Sequence, residues 1–203
     1  MNLRRSLMLL TLSCLAVFSA SCAKSGFEIR DVDPGQPGEV RSLGPESQDA
    51  IRIAQQMGRD LLASSYVMDS PHPPTVVVLP LNNDTRFPFN KEIFSRRLRA
   101  ELNTTSNGQI RFVARDVMED VLNERDAKRA GEIDYDPDRR APRPAGADFF
   151  LRGEVTGLAT ASRQGQADYL LYTFSLIDTE TGIELWQDLY ETKREGRDDV
   201  LYR

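Results

Sequence analysis

The stretch ADYLLYTFSLID, residues 167–178, constrains the fold more tightly than any other part of the chain. Leu170, Tyr172, Phe174 and Leu176 recur with a period of two, which places them on one face of a strand and fits no helical stripe. DFFLRGEVTGLAT precedes this stretch and IELWQDLYETK follows it. The linkers SRQGQ and TETG each carry the glycine that hairpin turns favour. Three antiparallel strands in a meander are therefore expected, with the Leu170–Leu176 row buried beneath other elements.

The upstream residues supply those elements. Ser47 is placed to cap a helix carrying Ile51, Ala54, Gly58, Leu61 and Leu62. TVVVLPL, Thr75–Leu81, reads as a strand buried on both faces. NNDTRFPFN is a polar loop ending in a cap, Asn90, for a helix to about Leu102 with Phe94, Leu98 and Leu102 on one stripe. TTSNG stops that helix, and Ile110, Phe112 and Ala114 alternate with Arg111 and Val113 as a second strand. Strand, helix, strand in so short a span suggests a right-handed parallel crossover. Asp116 and Glu119 form a capping-box variant for a third helix with Val117, Val121 and Leu122. GEIDYDPDRRAPRPAGA then reads as a long polar loop. The expected class is α/β: one domain whose mixed sheet starts as a parallel β-α-β unit, ends as an antiparallel three-strand meander, and is flanked by helices.

Arg4 and Arg5 precede an apolar run from Leu7 to about Ala20. Crossing a bilayer core takes about 20 residues, so this run fits the apolar region of a signal peptide instead. Ser19, Ala20, Ser21 and Cys22 follow. Small residues before a cysteine resemble the lipobox of bacterial lipoproteins, although Ser19 stands where that motif usually has Leu. The resemblance implies removal of residues 1–21 and lipid attachment, with palmitate among the acyl chains, at Cys22. The other reading is an ordinary secretory signal cut near Ala20. Cys14 leaves with the signal on either reading, so no internal disulfide is expected. Ala23, rather than Asp, after Cys22 points by the same resemblance to the outer membrane. Residues 22–46, rich in Gly, Pro and charge, are expected to form a flexible tether. From Ala23 to Glu46 it reaches at most roughly 80 Å. Residues 47–203 form the globular domain.

Charge and chemistry exclude several functions. Removing residues 1–21 takes two arginines and no acid, moving the net charge from −5 to −7. Such a chain lacks the clustered positive charge that nucleic acid requires, so no nucleic-acid partner is expected. His72, the one histidine, sits among Pro71, Pro73 and Pro74 with no nucleophile near it. Neither a G-x-S-x-G elbow, a phosphate-binding glycine loop nor a zinc ligand set is present. Asp134, Asp136 and Asp138 begin like a calcium loop, but Arg139 and Ala145 occupy the positions that need Gly and Glu. Arg96, Arg97 and Arg99 have Glu92 and Glu101 a helical turn away, which reads as a solvated face of local ion pairs. Trp186 alternates with Glu184 and Asp188 opposite Leu185, and packing is its expected role. No catalytic, cofactor or metal site is expected.

Three segments in order carry a family resemblance: VVVLPLNNDTRFPFNKEIFSRRLRAELNTTSNGQIRFVAR, GADFFLRGEV and LIDTETGIELWQDLYETKR. Together they resemble the LpoB family, outer-membrane lipoprotein activators of bifunctional penicillin-binding proteins. NNDT after the first strand and Gly-Ala-Asp before a later one are characteristic. The DTETGIELW hairpin is also similar to curli-export lipoproteins and to other domains resembling the TolB amino-terminal fold. The resemblance implies that fold and a non-enzymatic lipoprotein, anchored in the outer membrane and facing the periplasm. Its partner would be a class A penicillin-binding protein, a peptidoglycan synthase whose active conformation it favours, so regulating cell-wall synthesis and cell shape. A monomer is expected. The family's contact patch is not a short motif, so no contact residue carries over. Two alternatives stand beside this reading. A curli-export-type secretion complex would need the hairpin Phe149–Leu176 to cross a membrane, although it contains Arg152, Glu154, Arg163 and Asp168. An envelope hydrolase would need a pair of the chain's many carboxylates.

Overall fold

The computed structural model describes residues 29–134, 136–139 and 143–196, so the expected signal peptide, Cys22 and the first part of the tether lie outside the described residues. The described residues from Asp33 onward form one compact unit, and Ile29–Val32 have no regular secondary structure.

Helix α1, Ser47–Leu62, is capped by Glu46 rather than Ser47. The Asp49 carboxylate accepts the Glu46 N–H at 2.8 Å, while the Ser47 hydroxyl donates outward to the Pro34 carbonyl. The helix is also turned about its axis relative to expectation. Ala50, Ile53, Ala54, Met57, Gly58 and Leu61 are buried, and Ile51 and Leu62 only partly. A short helix α2, Ser65–Met68, follows.

The expected strand Thr75–Leu81 is split. Strand β1 covers Thr75–Val78, and β2, Asn82–Asp84, begins inside the expected loop. Leu79 still donates to the Leu151 carbonyl at 2.9 Å, but Pro80 has no N–H to offer, so pairing pauses there and resumes beyond it. Helix α3, Lys91–Ser106, starts where expected: Asn90 accepts the Glu92 N–H at 3.0 Å. Phe94, Leu98 and Leu102 are buried, but the helix runs on past Leu102. Asn107 and Gly108 end it, both with positive φ, 45° and 84°.

Strand β3 is only Arg111–Phe112, because the chain turns into a 3₁₀ segment at Arg115–Val117. Asp116 does not cap the next helix, α4, Met118–Ala130; its carboxylate pairs with Arg99 at 3.4 Å instead. No α4 residue is buried, and Val117, Val121 and Leu122 are about 40% exposed. Helix α4 therefore adds nothing to the core.

Strands β4 (Phe149–Ser162), β5 (Gly165–Asp178) and β6 (Glu184–Gly196) form the expected meander. The sheet order is β3-β1-β4-β5-β6, with β2 also on β4. β1 is parallel to both β3 and β4, so the sheet is mixed as expected. A bulge at Leu185 lets Leu176 face Trp186 while Ile177 faces Glu184, which moves Glu184 off the face that Trp186 occupies.

One face of the meander is the core. Leu151, Val155, Leu170, Tyr172, Phe174 and Leu176 lie beneath α1 and α3. Phe94 of α3 stacks on Tyr172 at 5.9 Å, and Tyr172 meets Tyr190 edge-on at 6.1 Å. Each such pair adds about 1 kcal/mol to the area it buries. Gly153 sits under this packing: a Cβ there would lie 2.7 Å from both Leu81 and Phe174, two buried side chains. Gly153→Ala is expected to lower stability by about 2 kcal/mol in urea unfolding. Gly146→Ala, whose Cβ would meet nothing within 4 Å, should leave the midpoint in place.

Candidate partner interface

The sheet ends in a charge network where the chain enters α1. Arg194 of β6 reaches Asp49 of α1 with two hydrogen bonds, 2.6 and 2.7 Å, and also donates to the Gly44 carbonyl. Glu46 lies 3.7 Å from the same guanidinium and 3.4 Å from Arg41. Burial alone would lower the Arg194 pKa, but Asp49 and Glu46 outweigh it and hold the guanidinium charged. Asp168 of β5 is the register partner of Arg194 and is itself held by Arg86, Nε to Oδ1 at 2.9 Å. Gly44 packs so closely on the Phe87 ring that a Cβ would meet it at 2.7 Å. Residues 41–46, placed in the tether by the sequence reading, thus lie against the β2–α3 loop and the end of β6.

The opposite face of the meander is more open, although Ser175 on it is buried. Its rows are Leu158–Tyr169–Lys193, Thr156–Leu171–Glu191, Glu154–Thr173–Leu189 and Arg152–Ser175–Gln187. Leu158 is 66% exposed and Leu189 47%. Arg152 pairs with Glu154 at 3.0 Å, and the Tyr169 hydroxyl donates to Glu191. Apolar side chains ringed by satisfied polar ones suit contact with another macromolecule better than a reaction. Four rows across three strands span about 14 Å by 20 Å of backbone. Even with side chains at its margins, that is below the roughly 800 Å² a standard interface takes from each partner. A reversible contact fits this area.

The other residues singled out from sequence fall elsewhere. His72 is exposed, and its carbonyl accepts from Ser70. Arg96, Arg97 and Arg99 pair with Glu92, Glu101 and Asp116 at 3.3 to 3.4 Å, so the basic cluster is locally neutralised. Asp136 accepts the Asp138 N–H at 3.0 Å, which makes a turn, and no metal-binding group occurs among the described residues. Trp186 packs against the core, in keeping with its expected role. Cys22 lies outside the described residues.

The segments that carry the family resemblance build turns. Asn83 accepts from the Thr85 N–H and hydroxyl and donates to the Phe87 carbonyl. Asp148 accepts the Thr75 N–H and hydroxyl, both at 2.7 Å, fixing β1 against β4. Asp178 accepts from Thr181 N–H at 2.7 Å and its hydroxyl at 2.8 Å, and these bonds hold its carboxyl below the usual range. The Arg194–Asp49 pair escaped the sequence reading because its partners stand far apart in the chain. Asp168 left a signal: it shares the parity of Leu170 and Tyr172, so it had to be buried and therefore paired.

The sequence matches the family described as peptidoglycan-synthase activator LpoB over residues 49–192. No curated protein matches it in sequence. Among solved structures it is similar to the LpoB C-terminal domain of Escherichia coli, at 17% identity and TM-score 0.44, covering 71% of this chain and 98% of that one. The Salmonella enterica LpoB C-terminal domain aligns at 18% identity and TM-score 0.42, covering 68% and 94%. Lipoprotein GNA1162 from Neisseria meningitidis aligns at 18% and 0.35, covering 61% and 84%.

Arg194→Ala would strand Asp49, which is 2% exposed, and is expected to cost about 3 kcal/mol in chemical unfolding. Arg96→Ala, whose ion pair with Glu92 stands in solvent, should leave stability unchanged.

Proposed function

The chain belongs to the LpoB family of peptidoglycan-synthase activators, and from that premise we propose that it binds a class A penicillin-binding protein and raises its activity without performing chemistry itself. The open meander face is the contact surface in this reading. The observation that carries it is the exposure of Leu158 and Leu189 on the sheet face opposite the core. Activation needs only that the face bind the active synthase better than the resting one. A tenfold preference corresponds to about 1.4 kcal/mol, within reach of two leucines leaving water.

Location follows the same reading. The signal peptide delivers the chain across the inner membrane, and acylation at Cys22 anchors it in the outer one, where more than one acyl chain gives durable attachment. The domain then faces the periplasm. No helix of the described residues is long and apolar enough to cross a membrane. The export-pore alternative meets a packing objection. β4 and β5 supply Leu151, Val155, Leu170, Tyr172, Phe174 and Leu176 to the core, so inserting that hairpin in a bilayer would dismantle the domain.

In detergent, the mature Cys22→Ser chain is expected to accelerate glycan polymerisation from lipid II by a class A synthase. Leu158→Glu with Leu189→Glu should cut that stimulation at least tenfold while leaving the melting temperature unchanged. A well-folded chain that leaves the polymerisation rate untouched would overturn the assignment.

A further inference from the structure

Residues 33–46 have the composition of a tether, yet they are folded onto the domain, whose compact unit begins at Asp33. Two catches hold them. The inner catch is residues 41–46. The Gly44 carbonyl accepts from Arg194, Gly44 itself is buried, and a Cβ on Gly196 would lie 3.4 Å from the Leu43 side chain. The Glu46 carboxylate draws this stretch inward: it accepts the Ser42 N–H at 2.7 Å and lies 3.4 Å from Arg41. The outer catch is residues 33–36. The Gln36 N–H donates to the Asp33 carbonyl at 3.1 Å, closing a turn, and the Pro34 carbonyl accepts the Ser47 hydroxyl of α1 at 2.8 Å. A Cβ on Gly35 would come within 3.8 Å of Ile51. Residues 37–40 bridge the catches in solvent, with Val40 93% exposed.

The closed position is favoured by what opening would leave behind. The Arg194 side chain is only 13% exposed. Asp49 accepts from its Nη2, whereas the Gly44 carbonyl accepts from its Nη1. Lifting residues 41–46 would take that acceptor from a largely buried donor. Covalent geometry turns the closed position into a distance. From Cys22 to Asp33 the chain spans at most about 40 Å, and from Cys22 to Ser47 roughly 85 Å. Folding residues 33–46 onto the domain therefore removes more than half of the reach that the sequence offers.

We propose that residues 33–46 are a strap that shortens the lipid leash: closed, it keeps the start of the domain within about 40 Å of its anchor, and open, it allows about twice that reach. Only with Cys22 as the anchor, as proposed above, does the strap set a distance from the membrane; its closure does not depend on a synthase. Gly44 is the seat of the strap. Any side chain there would meet the Phe87 ring at 2.7 Å and the Phe87 Cβ, which no ring rotation moves, at 3.2 Å.

Amide hydrogen exchange of the parent mature chain tests closure without any variant. The Ser42 and Gly44 amides should exchange at least tenfold more slowly than in an unstructured chain, and unprotected amides there would overturn the strap. Gly44→Leu then tests the seat. In a tryptic digest, cleavage after Arg41 relative to cleavage after Arg30 should rise at least tenfold in this variant, and an unchanged ratio would refute Gly44 as the seat. The reach is read by neutron reflectometry of the mature chain coupled through the Cys22 thiol to a maleimide lipid in a supported bilayer. The Gly44→Leu layer should extend farther from the membrane than the parent layer by on the order of 10 Å; identical profiles would contradict the shortened leash. No synthase enters these measurements, so the strap and the synthase reading fail separately: loss of stimulation in detergent would sink only the latter.

Discussion

Burial of the row Leu170, Tyr172, Phe174 and Leu176 under α1 and α3 is the interaction on which the remaining structure depends. Two helices cover that face, and the other face of the meander carries the exposed Leu158 and Leu189. The row also dictates what its neighbours must be. Gly153 is a glycine because Phe174 lies over it. Asp168 shares the parity of the row and is therefore buried, so Arg86 has to reach it. Arg194 stands beside Asp168 in register and draws in Asp49 and Glu46. The end of the domain nearest the tether is in this way fixed by ion pairs that apolar burial imposed.

Most of this frame was legible in the chain. The meander, the cap at Asn90, the stripe Phe94–Leu98–Leu102 and the mixed order of the sheet all follow from period, turn chemistry and capping, which act over a few residues. What was misread depends on longer range or on competition. Pro80 interrupts an apolar run that otherwise looks like one strand. Ile51 lost its expected place to Ile53 because α1 is turned to face α3 and β6, which no local pattern states. Asp116 had two possible partners, a helix terminus and Arg99, and the ion pair prevailed. The open face was implicit in the alternation of β5, but which polar residues would be left uncovered depended on where the helices landed.

The resemblance to the family rests on residues whose work is architectural. Asn83, Asp148 and Asp178 each collect backbone and hydroxyl donors at a turn, and together they fix where β2 ends and where β4 and β6 begin. In the proposed reading, rigid strands would present the contact, and a small apolar patch with a polar rim would keep it reversible.

The most direct test of this account is amide NMR of the labelled mature chain titrated with the soluble part of a class A penicillin-binding protein. Shifts concentrated on the outer rows of β4–β6, at Leu158, Thr173, Leu189 and Glu191, with α1 and α3 undisturbed, are the predicted result. Perturbation centred on the helices, or a spectrum that does not respond to the synthase, would contradict the claim that the uncovered sheet face makes the contact.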